Sequence, residues 1–209
     1  MGCETAVTGM TMQSPFPAPV AREALHRREY DFHGYRRTDG LYDIEGRMTD
    51  RKTYAFPNRW RGEIKAGEPV HDMWIRLTID DDFTVVDIEV HTAAGPFEIC
   101  PAITPSFATL KGARIGKGWT HRLKEQFGGV HGCTHHVEML RAMGTVAFQT
   151  IFGAREKLKR EQGAPSGDAA ETAPRATTKR PDLINSCHAF AADGEVVKQI
   201  WPQFYVEKN

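Results

Sequence analysis

In residues 71–92, HDMWIRLTIDDDFTVVDIEVHT, apolar side chains recur at every second position. A period of two predicts half-buried strands. Met73, Ile75, Leu77 and Ile79 share one side, and Val86, Ile88 and Val90 are expected to match them across a turn near Asp81-Asp82. That register sets Asp72 opposite His91, Trp74 opposite Glu89 and Arg76 opposite Asp87, although Asp-Asp is a weak turn signal and a slip would re-pair them all. Asp39-Gly40 is a stronger signal. A two-residue loop centred there pairs Arg36 with Asp43 and Tyr35 with Ile44. One face then gathers His33, Tyr35, Tyr42, Ile44 and Met48, and the other a charge-paired set of Arg36, Asp43, Glu45 and Arg47.

The second half of the chain changes period. Residues 104–110 predict a short turn or helix, and Trp119–Phe127 (WTHRLKEQF) predicts an amphipathic helix stopped by Gly128-Gly129. The longest helix is expected from about Cys133 to Leu158, with Val137, Leu140, Met143, Ala147 and Ile151 as its buried stripe. Strands followed by helices predict an α+β fold, with antiparallel β-hairpins packed on two or three helices in a single domain. Residues 1–26 read as a flexible leader, 27–158 as the main α+β domain and 159–180 as a disordered linker or loop, poor in groups that bury. Residues 181–209 regain aromatic and aliphatic side chains and, being too short to fold alone, are expected to dock on the main domain.

Composition narrows the function classes. The 209 residues carry 27 Lys plus Arg against 27 Asp plus Glu, so no basic excess recommends nucleic acid or an anionic membrane as a partner. Apolar runs such as Val146-Ala147-Phe148 fall far short of the roughly 20 residues that span a bilayer. Without a secretory signal pattern the expected compartment is the cytoplasm. The cysteines at positions 3, 100, 133 and 187 form no CxxC pair, which predicts free thiols there. Exposed hairpin edges make a homo-oligomer an expectation too.

Reactive side chains are densest at GGVHGCTHHVE, residues 128–138, where a glycine-rich turn opens the long helix. Free amides and the positive end of the helix dipole favour an anion or thiolate there. His135 and Glu138 lie three apart on one helical face, spacing suited to a base and its orienter, and His71-Asp72 is a second such pair. The candidate catalytic residues are therefore His71, Asp72, His135 and Glu138. Tyr42, Arg47, Trp74, Arg76, His131 and Cys133 are the candidate substrate-binding groups, aromatic and charged side chains suited to a small phenolic or acyl ligand. The helix opening is expected to fold inward against the charged face of the sheet and close a shared cavity. No metal or other cofactor is expected in this reading. The alternative is a zinc or iron site built from Cys133, His135, Cys187 and His188, although their spacing is not that of the usual ligand motifs. No GxGxxG or GxxxxGK[ST] is present in the sequence, so dinucleotide and P-loop chemistries lack their signatures.

The segments HGYRRTDGLYDIEGRMTDRKTY (33–54), EPVHDMWIRLTIDDDFTVVDIEV (68–90), GCTHHVEML (132–140) and SCHAFAADGEVVKQIWP (186–202) resemble the bacterial domain-of-unknown-function family 2889, over about residues 27 to 204. In the family pattern the helix opens GCTHL; His136 stands here where an apolar residue is usual, so no role transfers to it. The resemblance implies a small substrate from aromatic catabolism, and a lignin-dimer (phenylcoumaran-type) formaldehyde lyase is the sharpest form of that expectation. Such a carbon–carbon lyase would need only proton transfer. A metal-dependent hydrolase and a non-catalytic small-ligand-binding protein are the competing readings.

Overall fold

The loop Thr38-Asp39-Gly40 sets the register of the sheet. In the structure, a computed structural model that describes residues 15–163 and 178–208, the Arg37 amide donates to the Leu41 carbonyl (2.8 Å) and Gly40 adopts φ +89°. Three residues therefore turn the chain, with glycine in the left-handed position. Strand β1 (His26–Arg36) consequently pairs Arg36 with Tyr42 and Tyr35 with Asp43 of β2 (Tyr42–Lys52). This is one residue away from the register of a two-residue loop. A slip of one exchanges faces: Tyr42, Ile44 and Met48 lie inward and buried, while Tyr35 points outward with Asp43, Glu45 and Arg47.

A short hairpin, β3 (Phe56–Asn58) and β4 (Gly62–Ile64), leads into β5 (Pro69–Ile79) and β6 (Val85–Ala94). The main sheet is antiparallel in the order β1-β2-β5-β6. Irregularities between Asp72 and Met73 and between Thr78 and Ile79 shift the second register, so Trp74 pairs His91, Arg76 pairs Glu89 and Asp72 pairs Ala94. The inward row of β5 is as expected. On β6, however, Val85 takes the inward place beside Ile79, and Val86 is turned out to solvent.

A 3₁₀ segment (Cys100–Leu110) packs on β6 and is followed by α1 (Trp119–Phe127) and α2 (Thr134–Glu161). Leu140, Met143, Ala147 and Ile151 bury the predicted stripe of α2 against Ile44, Met48, Met73, Ile75 and Leu77. Burying each large aliphatic side chain stabilises the domain by about 1.5–3 kcal/mol. Where α2 crosses β1, a Cβ on Gly34 would collide with Thr150, so only glycine admits this close approach. The Trp119 indole N–H donates to the Leu140 carbonyl (2.9 Å), tying α1 to α2.

The tail contributes α3 (Glu195–Ile200) and an apolar cluster of its own around Ile184, Val197 and Trp201, joined by Phe190, Ile200 and Phe204. Helix α2 extends through Glu161, taking in the first residues of the expected linker. Residues 1–14 of the expected leader and 164–177 of that linker lie outside the described residues. Among the described residues, no helix is long and apolar enough to cross a membrane.

Candidate active site

Alternation carries the inner face of the sheet from apolar to polar at one end. Tyr30, Met48 and Met73 form one inward row, and the next consists of Arg28, Asp50 and His71 on three adjacent strands. Helix α2 begins over this row, so its first turns bring His135 and Glu138 onto the same ground.

Asp50 is the hub, only 3% exposed. Arg28 grips both of its oxygens, Nε to Oδ1 at 2.8 Å and a terminal nitrogen to Oδ2 at 2.7 Å. His26 Nε2 lies 2.8 Å from Oδ1 and His71 Nδ1 2.9 Å from Oδ2. Burial favours the protonated carboxyl, but hydrogen bonds from Arg28, His26 and His71 outweigh it and hold Asp50 well below the usual carboxylate range. With Asp50 ionised, His71 donates through Nδ1 and keeps the Nε2 lone pair free.

The His135 ring lies 4.0 Å from that of His71, centroid to centroid, with His135 Nε2 4.0 Å from Asp50 Oδ2. Burial lowers the pKa of His71 and outweighs the pull of Asp50. Burial lowers His135 as well, reinforced by the neighbouring His71 and Arg28. Two adjoining rings that resist protonation form a neutral acid–base pair near pH 7. At its edge, Glu138 Oε2 accepts from the Tyr30 hydroxyl (3.0 Å) and from Arg28 (3.2 Å). Cys133 Sγ lies 3.9 Å from His135 Nδ1, and His131 is exposed on the preceding turn, Gly129–His131.

The other sequence candidates lie elsewhere. Asp72 belongs to the outer face, held by Arg47 through two bonds of 2.9 and 2.7 Å, with Arg47 stacked 4.6 Å from the Trp74 ring. Arg76 bridges Glu45 and Glu89 on that face. Tyr42 is buried on the inner face at the far end of the sheet, donating to Asp81 (3.2 Å). The helix opening thus meets the polar end of the inner face, not the charged outer face, and the sheet stands between it and Trp74. Sequence reading missed Asp50, Arg28, His26 and Tyr30. The signal was present: Asp50 continues the inward series Tyr42, Ile44, Met48, where an apolar residue is due.

Cys133, His135, Cys187 and His188 do not assemble into a metal centre; Cys187 is exposed in the tail. Among the described residues, Asp50, His71 and His135 are the group whose ligand atoms approach one another, all within 4.8 Å. A cation would have to share Asp50 with the Arg28 guanidinium, which covers both oxygens. An open cleft of about 730 Å³ lies between α1 and α2, lined by Trp119, Lys124, Arg141, Phe148 and Ser186. His121 also lines it and pairs with Glu125 (3.1 Å), but both side chains are exposed, whereas the acid of the Asp50 cluster is buried, which makes that cluster the candidate site.

His136 faces the opposite way from His135. It is fully buried against Phe107, and neither ring nitrogen makes a well-formed hydrogen bond, although the His91 main chain lies close enough to favour its protonation. Burial pushes its pKa down to about 4. Replacing it with leucine is expected to stabilise the protein by about 1–3 kcal/mol, since a buried unpaired polar ring gives way to an apolar one. Urea denaturation of His136→Leu at pH 7 checks this; an unchanged or lower midpoint would mean that the imidazole is satisfied.

The fold and site define an α+β domain with a carboxylate-anchored imidazole pair where its sheet meets its longest helix. Residues 26–149, more than half of the chain, match the family described as "Protein of unknown function (DUF2889)", and the chain belongs to that family. No curated protein and no solved structure matches it.

Proposed function

We propose that this protein is a cofactor-independent carbon–carbon lyase of the cytoplasm that removes a hydroxymethyl group, as formaldehyde, from a small lignin-derived phenolic. The observation that carries the reading is the His71 imidazole, fixed 2.9 Å from a buried carboxylate and packed on the ring of His135. His71 Nε2 accepts the hydroxymethyl proton; the carbon–carbon bond breaks as the carbonyl of formaldehyde forms; the released pair makes a new carbon–carbon double bond, and the aryl-ether carbon–oxygen bond of the phenylcoumaran ring breaks to leave a phenolate, which takes up the proton. Arg28 and Tyr30 supply the adjacent positive charge and hydroxyl, and His135 relays the proton. The balanced charge of the chain suits a small substrate better than nucleic acid or a membrane surface. Strand β1, at one edge of the sheet, offers a second copy a place to pair.

The test is to incubate the protein with a phenylcoumaran-type dimer and related lignin phenolics and to assay formaldehyde. Stoichiometric release, undiminished by a metal chelator, is expected. A panel left unchanged would favour a non-catalytic small-ligand binder, and turnover abolished by chelation would favour a metal-dependent enzyme.

A further inference from the structure

The reaction above leaves one reactive group unused. Cys133 is the residue that precedes the first turn of α2; its backbone is extended and its side chain makes no capping hydrogen bond. The sulfur, half-buried, lies instead 3.9 Å from His135 Nδ1, and the opposite nitrogen of the same ring lies 4.0 Å from Asp50 Oδ2. The thiol thus neighbours an imidazole whose far side faces the buried carboxylate. A nucleophile beside its base is the arrangement by which side chains attack carbonyl carbon, and such contacts are often loose before substrate binds. The first-turn amides of a 28-residue helix, unpaired within the helix, favour the negative charge that forms on sulfur or on a carbonyl oxygen.

We propose that Cys133 and His135 form a nucleophilic thiol site that adds reversibly to a small aldehyde. The thiol proton moves to His135 Nδ1, the sulfur forms a bond to the carbonyl carbon, the carbon–oxygen π bond breaks, and the oxygen takes the proton back from His135. The product is a hemithioacetal, and no further reactant is needed. That formaldehyde is the natural aldehyde rests on the lyase reading; the nucleophilic thiol does not.

The test applies two probes directly to the wild-type protein, so its outcome is independent of lyase turnover. Iodoacetamide labelling, resolved by peptide mass spectrometry, is expected to modify Cys133 about tenfold faster than Cys187 near pH 6.5, although Cys187 is the more exposed. In His135→Gln that advantage is expected to disappear. With [13C]formaldehyde, a saturable hemithioacetal carbon signal is expected in wild type and not in Cys133→Ser. Labelling of Cys133 no faster than Cys187, or an advantage that survives His135→Gln, would overturn the activated thiol. Absence of the carbon signal in wild type would overturn the aldehyde as its substrate.

Discussion

Replacing His71 with glutamine is expected to lower kcat for formaldehyde release by about 10²–10⁴-fold, the usual contribution of a positioned general base. Glutamine can still donate to Asp50, so the thermal midpoint should stay close to that of wild type. Turnover then separates from folding. Burial lowers the His71 pKa, so the acid limb of the wild-type rate profile should lie below pH 6.5, the ordinary histidine value. Initial rates across pH 4.5–8 check both points. Full activity in His71→Gln would remove this residue from the mechanism, and the same result in His135→Ala as well would remove the site.

Asp50→Asn should act on both chemistry and stability. An amide cannot balance Arg28, and it no longer selects the His71 tautomer that leaves Nε2 free, so turnover is expected to fall at least as far as in the histidine variant. Breaking a buried ion pair costs about 3–5 kcal/mol. Arg28, with 32% of its side chain exposed, recovers part of that through hydration, which leaves about 2 kcal/mol. Acid titration sharpens the expectation. Asp50 has a folded pKa below its unfolded value, so its stabilisation is present above about pH 4 and is lost as pH falls further. His71, His135 and His136 also have folded values below the unfolded one. The unfolded chain therefore binds more protons, and stability already declines as pH drops below about 6.5. Wild type should lose stability in two stages, and Asp50→Asn should keep the first while losing much of the second. Urea midpoints measured between pH 3 and 8 check this, and superimposable curves for the two proteins would refute it.

How much of this was legible in the chain can be judged at particular residues. The helix Trp119–Phe127 has the bounds its pattern predicts, and α2 begins one residue after Cys133. Amphipathic periodicity and glycine stops are local signals, and local signals survive folding. The β1-β2 register was less legible because Asp39-Gly40 suits both a two-residue turn and the three-residue loop that forms, in which Gly40 takes the left-handed place. That single residue decides whether Arg28 meets Asp50. Under the two-residue register Glu29, not Arg28, faces Asp50, so the polar break in the inward series was legible at Asp50 but its arginine partner was not. His71, His135 and Glu138 stand out in the sequence because imidazoles and carboxylates at close spacing are conspicuous in any register, and the structure brings them together around Asp50. Asp72 is conspicuous as the neighbour of His71, yet successive residues of a strand point to opposite faces, and Asp72 pairs with Arg47 away from the site. His135 and His136 show the helical form of the same effect. One faces His71 at the site, while the other is buried against Phe107.

The protonation state of the two site histidines bears most directly on the whole account. Nitrogen-15 imidazole spectra of the wild-type protein at pH 7 should show His71 and His135 both neutral, with the His71 proton fixed on Nδ1 and its signal displaced in Asp50→Asn. A charged His71 or His135 at that pH, or a His71 ring whose proton sits on Nε2 and ignores the loss of the Asp50 charge, would contradict it.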